Sequence, residues 1–298
     1  MTVGVLVMAY GTPSGPGDVE AYYTHIRRGR PPSPEQLADL TRRYDAIGGI
    51  SPLAERTRAQ RAGIAAALDA VEPGRFVVSG GAKHAAPYIE DGVVELTGSG
   101  VDRIVGVVLA PHFSASSVGQ YHDRAREAAD CDYTGIDNWF HLTSFVDHQG
   151  GSVRRHLESL PADTVVVFTA HSLPERALAD DPYADNLVAS ASAIARRAGL
   201  DDSTWRIGWQ SAGRTPEPWR GPDIAEVIDQ VAADGHGGIL VVPHGFTSDH
   251  LEVLYDLDID AADRASRAGV AFARTEVVND DRTVMADLAD LVRRHADG

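Results

Sequence analysis

Three carboxylates recur at intervals of four residues near the carboxyl end of this 298-residue chain: Glu252, Asp256 and Asp260. Leu251 and Leu254 fall at helical spacing beside them, so the three acids lie along one stripe of a predicted helix. Like charges at this spacing repel each other, whereas a row of carboxylate oxygens is a natural path for a hard divalent cation. A solvated acidic face is the alternative explanation, and it stays open on the stripe alone.

The segment before this stripe, residues 238–250, predicts a buried strand followed by a loop at the carboxyl edge of a sheet. Its continuous apolar run leads to His244, and the loop then carries His250 and Glu252. Another histidine, His171, follows the apolar run 164–168. Neutral imidazole can bind a metal or take a proton near neutral pH. Two roles stay open for His244, a further metal ligand or a packing residue at a strand end, and we favour packing.

Cations are concentrated near the amino end, in the segment YYTHIRRGRPPSPEQLADLTRRYDAIGGISPL. It contains Arg27, Arg28, Arg30, Arg42 and Arg43 among several tyrosines. Arginine pairs bidentately with carboxylates and stacks on aromatic faces, so the segment suits a flat, anionic, aromatic ligand. The alternative is a solvated helix face whose arginines pair with nearby aspartates, and this alternative fits Arg42 best.

Lysine is almost absent from the chain. Lys83 stands alone against 26 arginines, and 30 aspartates exceed 13 glutamates. This bias is typical of adaptation to high salt or of a strongly GC-biased genome. In either case we interpret Lys83 as a point charge near an anionic ligand, with chance as the alternative.

Apolar runs alternate with amphipathic helical patterns along the whole chain. The predicted strands cover residues 3–8, 76–79, 104–109, 164–168, 205–208 and 239–242. The predicted helices cover residues 18–28, 34–47, 52–71, 116–129, 184–198, 223–233 and 282–295. The alternation favours an α/β fold with parallel sheets flanked by helices, in which ligands bind beyond the carboxyl ends of the strands.

A weak internal repeat divides the chain. LVMAYGTP at 6–13 resembles VFTAHSLP at 167–174, and LAPHFSASS at 109–117 resembles VVPHGFTSD at 241–249. The repeat predicts two similar Rossmann-like halves, residues 1–140 and 141–298, joined near residues 137–151. Tyr10 and His112 from one half, and His171 and His244 from the other, then lie at strand ends facing a common cleft.

Composition and missing motifs exclude several classes of function. The net charge of −16 argues against a nucleic-acid partner. No apolar run reaches the ~18 residues of a membrane span, and no basic, apolar leader is present, so we expect a cytoplasmic protein. Cys131 is the single cysteine, which excludes a disulfide framework and a cysteine-ligated cluster. Dinucleotide, phosphate-loop, nucleophile-elbow and zinc-helix motifs are all absent.

Taken in order, the motifs resemble those of the ferrochelatases, which insert ferrous iron into a porphyrin. The resemblance covers nearly the whole chain and rests on LVMAYGTP, YYTHIRRGR, RRYDAIGGISPL, LAPHFSASSVGQY, TAHSLPE, GWQSAGRTPEPWRGPD and VPHGFTSDHLEVLYD. YYTHIRRGR and VMAYGTP are most similar to the short, soluble bacterial branch, for which the resemblance implies coproporphyrin III as substrate. It implies a lyase with a porphyrin cleft between the two halves and Fe²⁺ as a substrate. It also implies no tightly bound cofactor, no iron–sulfur cluster, and a monomer that meets another haem-pathway enzyme only transiently.

The resemblance also implies roles for individual residues. His171 and Glu252 match the family's pair that handles the metal and the protons, and Asp256 and Asp260 continue the metal path. Tyr10 matches a residue on the opposite face of the macrocycle, where a phenolate can bind the product iron. Arg27, Arg43, Tyr44, Ser51 and Tyr121 match positions that hold the macrocycle or its propionates. Lys83 lies in the family's cleft-edge segment, and we infer from its lone occurrence that it is a further propionate partner.

Other functions stay open at this point. One is protoporphyrin IX as the substrate, and another is a tetrapyrrole-binding or carrier protein without turnover. A third is a chelatase that inserts cobalt into a more reduced ring, to which His244 gives some weight. The presence of both His171 and Glu252 favours an enzyme, because a carrier needs only the residues that bind the macrocycle.

Overall fold

Each half of the chain forms one four-stranded parallel sheet. The first contains β1 (Val3–Ala9), β2 (Phe76–Ala82), β3 (Arg103–Val108) and β4 (Asp132–Ile136), and the second contains β5 (Val165–His171), β6 (Trp205–Gln210), β7 (Gly238–Val242) and β8 (Ala271–Arg274). In the computed structural model, which describes residues 2–213 and 215–298, their spatial orders are β2–β1–β3–β4 and β6–β5–β7–β8. The two orders are equivalent, which confirms the predicted fold of two similar α/β halves.

Helices flank both sheets. They are α1 (Val19–Ile26), α2 (Pro34–Ala46), α3 (Leu53–Val71), α4 (Ile89–Gly98), α5 (Gln120–Ala128), α6 (Thr143–Leu157), α7 (Glu175–Leu178), α8 (Tyr183–Ala198), α9 (Ile224–Ala233), α10 (Leu251–Leu254), α11 (Ala262–Ala268) and α12 (Arg282–Asp297). Two π-helical segments, Ala115–Gly119 and Asp256–Ala261, lie between the regular helices. Among the described residues, no helix has the length and apolarity needed to cross a membrane.

The central strands explain where the functional residues lie. All seven residues of β1 are buried, as are all five of β7, because helices cover both faces of these strands. The central strands are β1 and β3 in the first sheet, and β5 and β7 in the second. The chain continues from the two central strands of each sheet towards opposite edges, so a crevice opens at their carboxyl ends. Tyr10 and His112 follow the first pair, and His171 and His244 lie at the ends of the second pair.

The last helix crosses between the halves. Helix α12 packs against α3, β3 and β4, although it follows the second sheet in sequence. Its buried face contributes Met285 and Leu288 to an apolar cluster that also contains Ile64 and Leu68 of α3. The boundary predicted at residue 140 falls between β4 and α6, and the division into residues 1–140 and 141–298 stays a prediction.

Candidate active site

One large cavity lies between the carboxyl edges of the two sheets. Its volume is about 1480 Å³, more than the roughly 300–1,000 Å³ of ordinary small-molecule sites, so it can take a large ligand. Residues from both halves line it. Those predicted from the sequence are Tyr10, Arg43, Tyr44, Ser51, Lys83, Tyr121, His171, Glu252, Asp256 and Asp260.

His171 and Glu252 form the central pair of the cavity. Nε2 of His171 lies 3.5 Å from Oε1 of Glu252, and each side chain is about one-third exposed. The other ring nitrogen, Nδ1, donates to the carbonyl of Ser172, so Nε2 is the nitrogen that faces the cavity. A second imidazole approaches the same carboxylate, since Nε2 of His250 lies 3.5 Å from Oε2 of Glu252.

The charges of this pair stabilise each other. Burial opposes an imidazolium, but the Glu252 carboxylate outweighs it and raises the pKa of His171 to about 9. Burial likewise opposes ionisation of Glu252, but His171 and His250 hold the pKa of that carboxyl well below its usual range. These shifts favour an imidazolium beside a carboxylate at neutral pH, with the proton held between two groups that can pass it on.

The predicted carboxylate stripe exists, but its backbone is not a regular α-helix. The amide of Asp260 donates to the carbonyl of Tyr255 at 3.0 Å, an i→i+5 bond of the π-helical segment that follows α10. A π-helix has a wider turn, and Glu252, Asp256 and Asp260 all line the cavity. Burial, with the nearby Glu252 charge, raises the pKa of Asp256 to about 6.

Arg43 and Ser211 hold the middle of the stripe. Nη1 of Arg43 lies 3.3 Å from Oδ1 of Asp256, and the Ser211 hydroxyl donates to Oδ2 at 2.5 Å. Arg43 therefore pairs with the acidic stripe. Its neighbour Arg42 is 58% exposed and pairs with Asp39 at 2.9 Å, as the alternative of arginines paired to nearby aspartates predicts. Its guanidinium also donates to the hydroxyl of Tyr255, in the second half, at 2.5 Å.

The opposite wall is aromatic. Tyr10 is 43% exposed because it faces the cavity, and its ring centroid lies 4.6 Å from that of His84. The protein around the cavity raises the pKa of the Tyr10 hydroxyl, and the Glu252 carboxylate adds to the effect. Burial also raises the pKa of Tyr44 to about 12, and its hydroxyl lies 3.4 Å from Oγ1 of Thr12. These phenols are neutral until a cation approaches.

A cationic group lies at one edge of the cavity. Nζ of Lys83 lies 4.9 Å from the ring centroid of Tyr121, and burial together with Arg124 and Arg28 lowers the pKa of Lys83 to about 8. Within the described residues, no carboxylate lies at ion-pair distance from Lys83. A site in which cations lower one another's proton affinity favours an anionic ligand.

Arg27 is the predicted residue that the structure does not bring to the cavity wall. It lies at the end of α1, where its guanidinium packs over the Tyr23 ring and donates to the carbonyl of Arg30. Arg28 lines the cavity instead, because the chain turns there through a positive φ of 57°.

His244 is a packing residue in this structure. It is fully buried, Nε2 lies 3.1 Å from the carbonyl of Leu187, and its ring makes edge contacts with His112 and Phe168. It is absent from the cavity wall, whereas His112 reaches it. This placement removes the reason for giving weight to cobalt chemistry.

Four cavity residues have no role assigned from the sequence: Arg28, His84, Tyr183 and His250. The signal for His250 was present, because SDHLE places it two residues before Glu252 at a helix start. Gln210 lies in the GWQSAGRTPEPWRGPD motif, and its amide donates to the Glu252 carbonyl at 3.1 Å, as expected of a residue that orders the cleft wall. Among the described residues, no three His, Cys, Asp or Glu side chains converge as a group able to hold a metal.

The chain is similar to named proteins over nearly its whole length. The chain is 42% identical over 306 residues to a coproporphyrin III ferrochelatase of Bacillus pumilus, with 99% of this chain and 97% of that protein covered. It is 42% identical over 301 residues to the protein of that name from Bacillus subtilis, covering 97% and 96%. A protein of Herpetosiphon aurantiacus named simply ferrochelatase is 41% identical over 287 residues, covering 93% of each chain.

Solved structures show the same fold at low sequence identity. A structure of CbiX, described as the terminal enzyme for siroheme biosynthesis in denitrifying bacteria, has a TM-score of 0.58 at 15% identity and covers 98% of each chain. The sirohydrochlorin chelatase SirB of Bacillus subtilis with cobalt has a TM-score of 0.57 at 12% identity, covering 100% and 96%. A family model described as Ferrochelatase matches residues 2–296. The chain therefore belongs to the ferrochelatase family.

Proposed function

We propose that this chain inserts Fe²⁺ into coproporphyrin III and releases iron coproporphyrin for haem biosynthesis. The observation that carries the proposal is the His171–Glu252 pair, 3.5 Å apart, in a cavity whose other wall carries Tyr10. Iron is a substrate of the reaction. The names of the relatives at 41–42% identity support the same substrate and the same lyase chemistry.

The chemistry requires two N–H protons to leave the ring and the iron to lose its water. Because His171 is protonated when it pairs with Glu252, a cation that binds its Nε2 must displace that proton. Glu252 and His250 lie where they can share it, and Glu252 supplies an oxygen ligand at the same time. Asp256 and Asp260 offer further oxygen ligands along the cavity wall, by which a hydrated cation can exchange water stepwise.

Substrate choice rests on the cations at the cavity edge. Coproporphyrin carries four propionates and protoporphyrin carries two, so coproporphyrin can engage more of the basic groups. Lys83 and Arg28 line the cavity, and Arg27 lies beside it at the end of α1. Each charge-assisted bond to a carboxylate contributes about 1.5–3 kcal/mol.

The test is a direct insertion assay. Purified chain is incubated anaerobically with Fe²⁺ and either coproporphyrin III or protoporphyrin IX, and the visible spectrum is followed. We expect kcat/KM to be at least about tenfold higher for coproporphyrin III, the worth of one further charge-assisted contact. Equal efficiency would refute the choice of substrate while leaving a ferrochelatase.

Two controls address the other functions. A carrier would bind porphyrin tightly, with quenched ring fluorescence, and show no insertion of iron. A cobalt chelatase would act on a reduced tetrapyrrole with Co²⁺ and not on a porphyrin with Fe²⁺. The similarity to sirohydrochlorin chelatases concerns the fold alone.

Three further expectations accompany the proposal. We expect a cytoplasmic monomer, transient contact with another haem-pathway enzyme, and no iron–sulfur cluster, since Cys131 is the single cysteine. Gel filtration and iron analysis of the purified chain check the oligomeric state and the cluster.

A further inference from the structure

The carboxylate of Asp181 connects the two halves next to the cavity. Asp181 lies in the second half, in the loop between α7 and α8. Its Oδ2 accepts hydrogen bonds from the Ser114 hydroxyl at 3.0 Å and from the Ala115 amide at 2.7 Å, both in the first half. Its Oδ1 accepts from the Tyr183 amide at 2.9 Å. The three donors therefore use both oxygens of one side chain.

On the first-half side, this carboxylate holds the start of the π-helical segment Ala115–Gly119. Ser114 is 0% exposed, and its hydroxyl oxygen also accepts from the Ser116 amide at 3.2 Å. The segment leads directly into α5, and Ser116, Ser117 and Tyr121 line the cavity. The position of Ser114 therefore sets the position of this wall.

On the second-half side, the same carboxylate reaches the backbone that carries His171. Tyr183 is buried, and its hydroxyl donates to the carbonyl of His171 at 3.3 Å. The connection from Ser114 to His171 thus consists of Asp181 and Tyr183. A neutral contact between the halves lies nearby, where Oδ1 of Asn138 accepts from the Asn186 amide at 3.2 Å.

We propose that Asp181 is a positioning residue, which fixes the wall that begins at Ser114 relative to His171. Asp181 is not among the residues that line the cavity. The inference rests on the proposed function, because what it positions is the surface that holds the porphyrin against the metal-handling pair. Hydrogen bonds to a carboxylate are shorter and stronger than neutral ones, which suits a fixed spacing between two separately folded sheets. A displacement of about 1 Å at such a site can cost on the order of a hundredfold in rate.

The variant that tests this is Asp181→Asn, which keeps the shape but cannot accept from all three donors. An amide oxygen facing Ser114 and Ala115 leaves an NH₂ group against the Tyr183 amide, and the reverse orientation sets donors against donors on the other side. The matched control is Asp180→Asn, which removes the same charge from the adjacent, exposed position. Ser114→Ala removes one donor without changing the charge.

The measurements are kcat, the KM values for porphyrin and iron, and the dissociation constant of the porphyrin. We expect Asp181→Asn to lower kcat at least about tenfold, with the porphyrin dissociation constant within about threefold of wild type. Ser114→Ala should lower kcat about fivefold, and the double variant should be no worse than Asp181→Asn, because both act through one bond. A loss of stability alone would lower apparent kcat in proportion to the folded fraction, so kcat is expressed per porphyrin-binding site, counted by fluorescence titration of each variant.

A spectroscopic measurement makes the test independent of turnover. Resonance Raman spectra of bound, metal-free porphyrin report out-of-plane distortion of the ring, which we expect to decrease in Asp181→Asn and to persist in Asp180→Asn.

The inference is overturned if Asp181→Asn keeps kcat and the Raman spectrum of wild type, or if kcat of Asp180→Asn falls equally. It is also overturned if Asp181→Asn does not fold and Ser114→Ala keeps kcat within twofold. A wild-type chain without iron insertion would overturn the proposed function instead, since the Raman comparison still stands.

Discussion

At the scale of single residues, the site depends on one proton shared between two groups. Glu252 raises the pKa of His171 to about 9 against the effect of burial, so the imidazole is charged in the resting protein. His171→Ala removes the proposed metal ligand together with the proton that this imidazole holds against Glu252. We expect kcat for iron insertion to fall by at least about a hundredfold, within the range for a general acid–base residue. Porphyrin binding, followed by fluorescence quenching, should change less than about threefold.

Glu252→Gln and His141→Ala complete this experiment. Glu252→Gln keeps the shape but removes the charge, so burial then dominates at His171 and its pKa falls; insertion should be nearly as impaired as in His171→Ala. His141 is exposed, and its removal should leave both measurements unchanged. Wild-type turnover by His171→Ala would contradict the assignment of the pair.

At the scale of elements, the sequence predicts the strands that are continuous apolar runs and misses those that are not. Strands β1 and β7 are buried on both faces, so their composition alone identifies them. Strand β4 contains Asp132 and Gly135, and β8 has only four residues, so neither shows a clear pattern. Helix α6 was missed because Gly150 and Gly151 interrupt it. A Cβ at Gly150 would lie 2.8 Å from the Arg197 side chain, so close packing against α8 explains that glycine.

Prediction of the site residues from the sequence is limited in the same way. The repeat predicted which strand ends meet, and therefore placed Tyr10 and His171 in one cavity. It could not choose between Arg27 and Arg28, because a single left-handed residue, Arg28 at φ 57°, decides which side chain faces the ligand. The π-helical form of the carboxylate stripe was also out of reach, since it depends on how the segment is held from β8.

Arg274 of β8 is paired with the π-helical segment, and the prediction at this scale concerns the loss of this pair. The guanidinium of this β8 residue makes a bidentate pair with Asp258 of the π-helical segment, at 2.6 and 2.8 Å, and is 15% exposed. Arg274→Met should lower the free energy of unfolding by about 2 kcal/mol, because a largely buried guanidinium loses its pairs with Asp258 and, at 3.5 Å, with Asp249. Urea unfolding followed by circular dichroism measures the loss.

The matched control is Arg264→Met. Arg264 also pairs bidentately with an aspartate, Asp229, but both side chains are about half exposed. Exposed pairs contribute little, so the control should be far less destabilised. An equal loss in the two variants would mean that burial of the Arg274 pair has no special effect.

At the scale of the whole molecule, the contact between the halves includes buried neutral histidines. Burial lowers the pKa of His244 to about 4, and it lowers the pKa of the adjacent His112 well below its usual value. The folded state then binds fewer protons than the unfolded state below the ordinary pKa of about 6.5, so stability is full above that pH and falls as pH decreases towards 4. His244 alone should cost about 1 kcal/mol between pH 7.5 and 5.5.

Unfolding of wild type and His244→Gln at several pH values checks this expectation. The glutamine amide reaches the position of Nε2 and can donate to the Leu187 carbonyl, but it does not titrate. The stability of this variant should therefore fall less steeply with acid, and His112 should account for the remaining slope. Parallel acid slopes in the two proteins would show that His244 is not responsible.

The acidic surface leads to the last prediction. The net charge is −16, and many exposed aspartates pair with arginines, such as Asp147 with Arg197 and Asp290 with Arg294. Such pairs contribute little, so salt removes little stability by screening them, whereas it relieves repulsion across the whole surface.

Since the screening length falls from about 10 Å at 0.1 M to about 3 Å at 1 M, raising KCl into the molar range should raise the melting temperature. Salt should also weaken the proposed contacts of Lys83 and Arg28 with the propionates, so we expect KM for the porphyrin to rise while the fold gains stability. Near the sequence pI of about 5.1 the net charge vanishes, and the rise in melting temperature should vanish with it. A melting temperature that stays flat or falls between about 0.1 and 2 M KCl at neutral pH would show that the acidic composition is not an adaptation to salt.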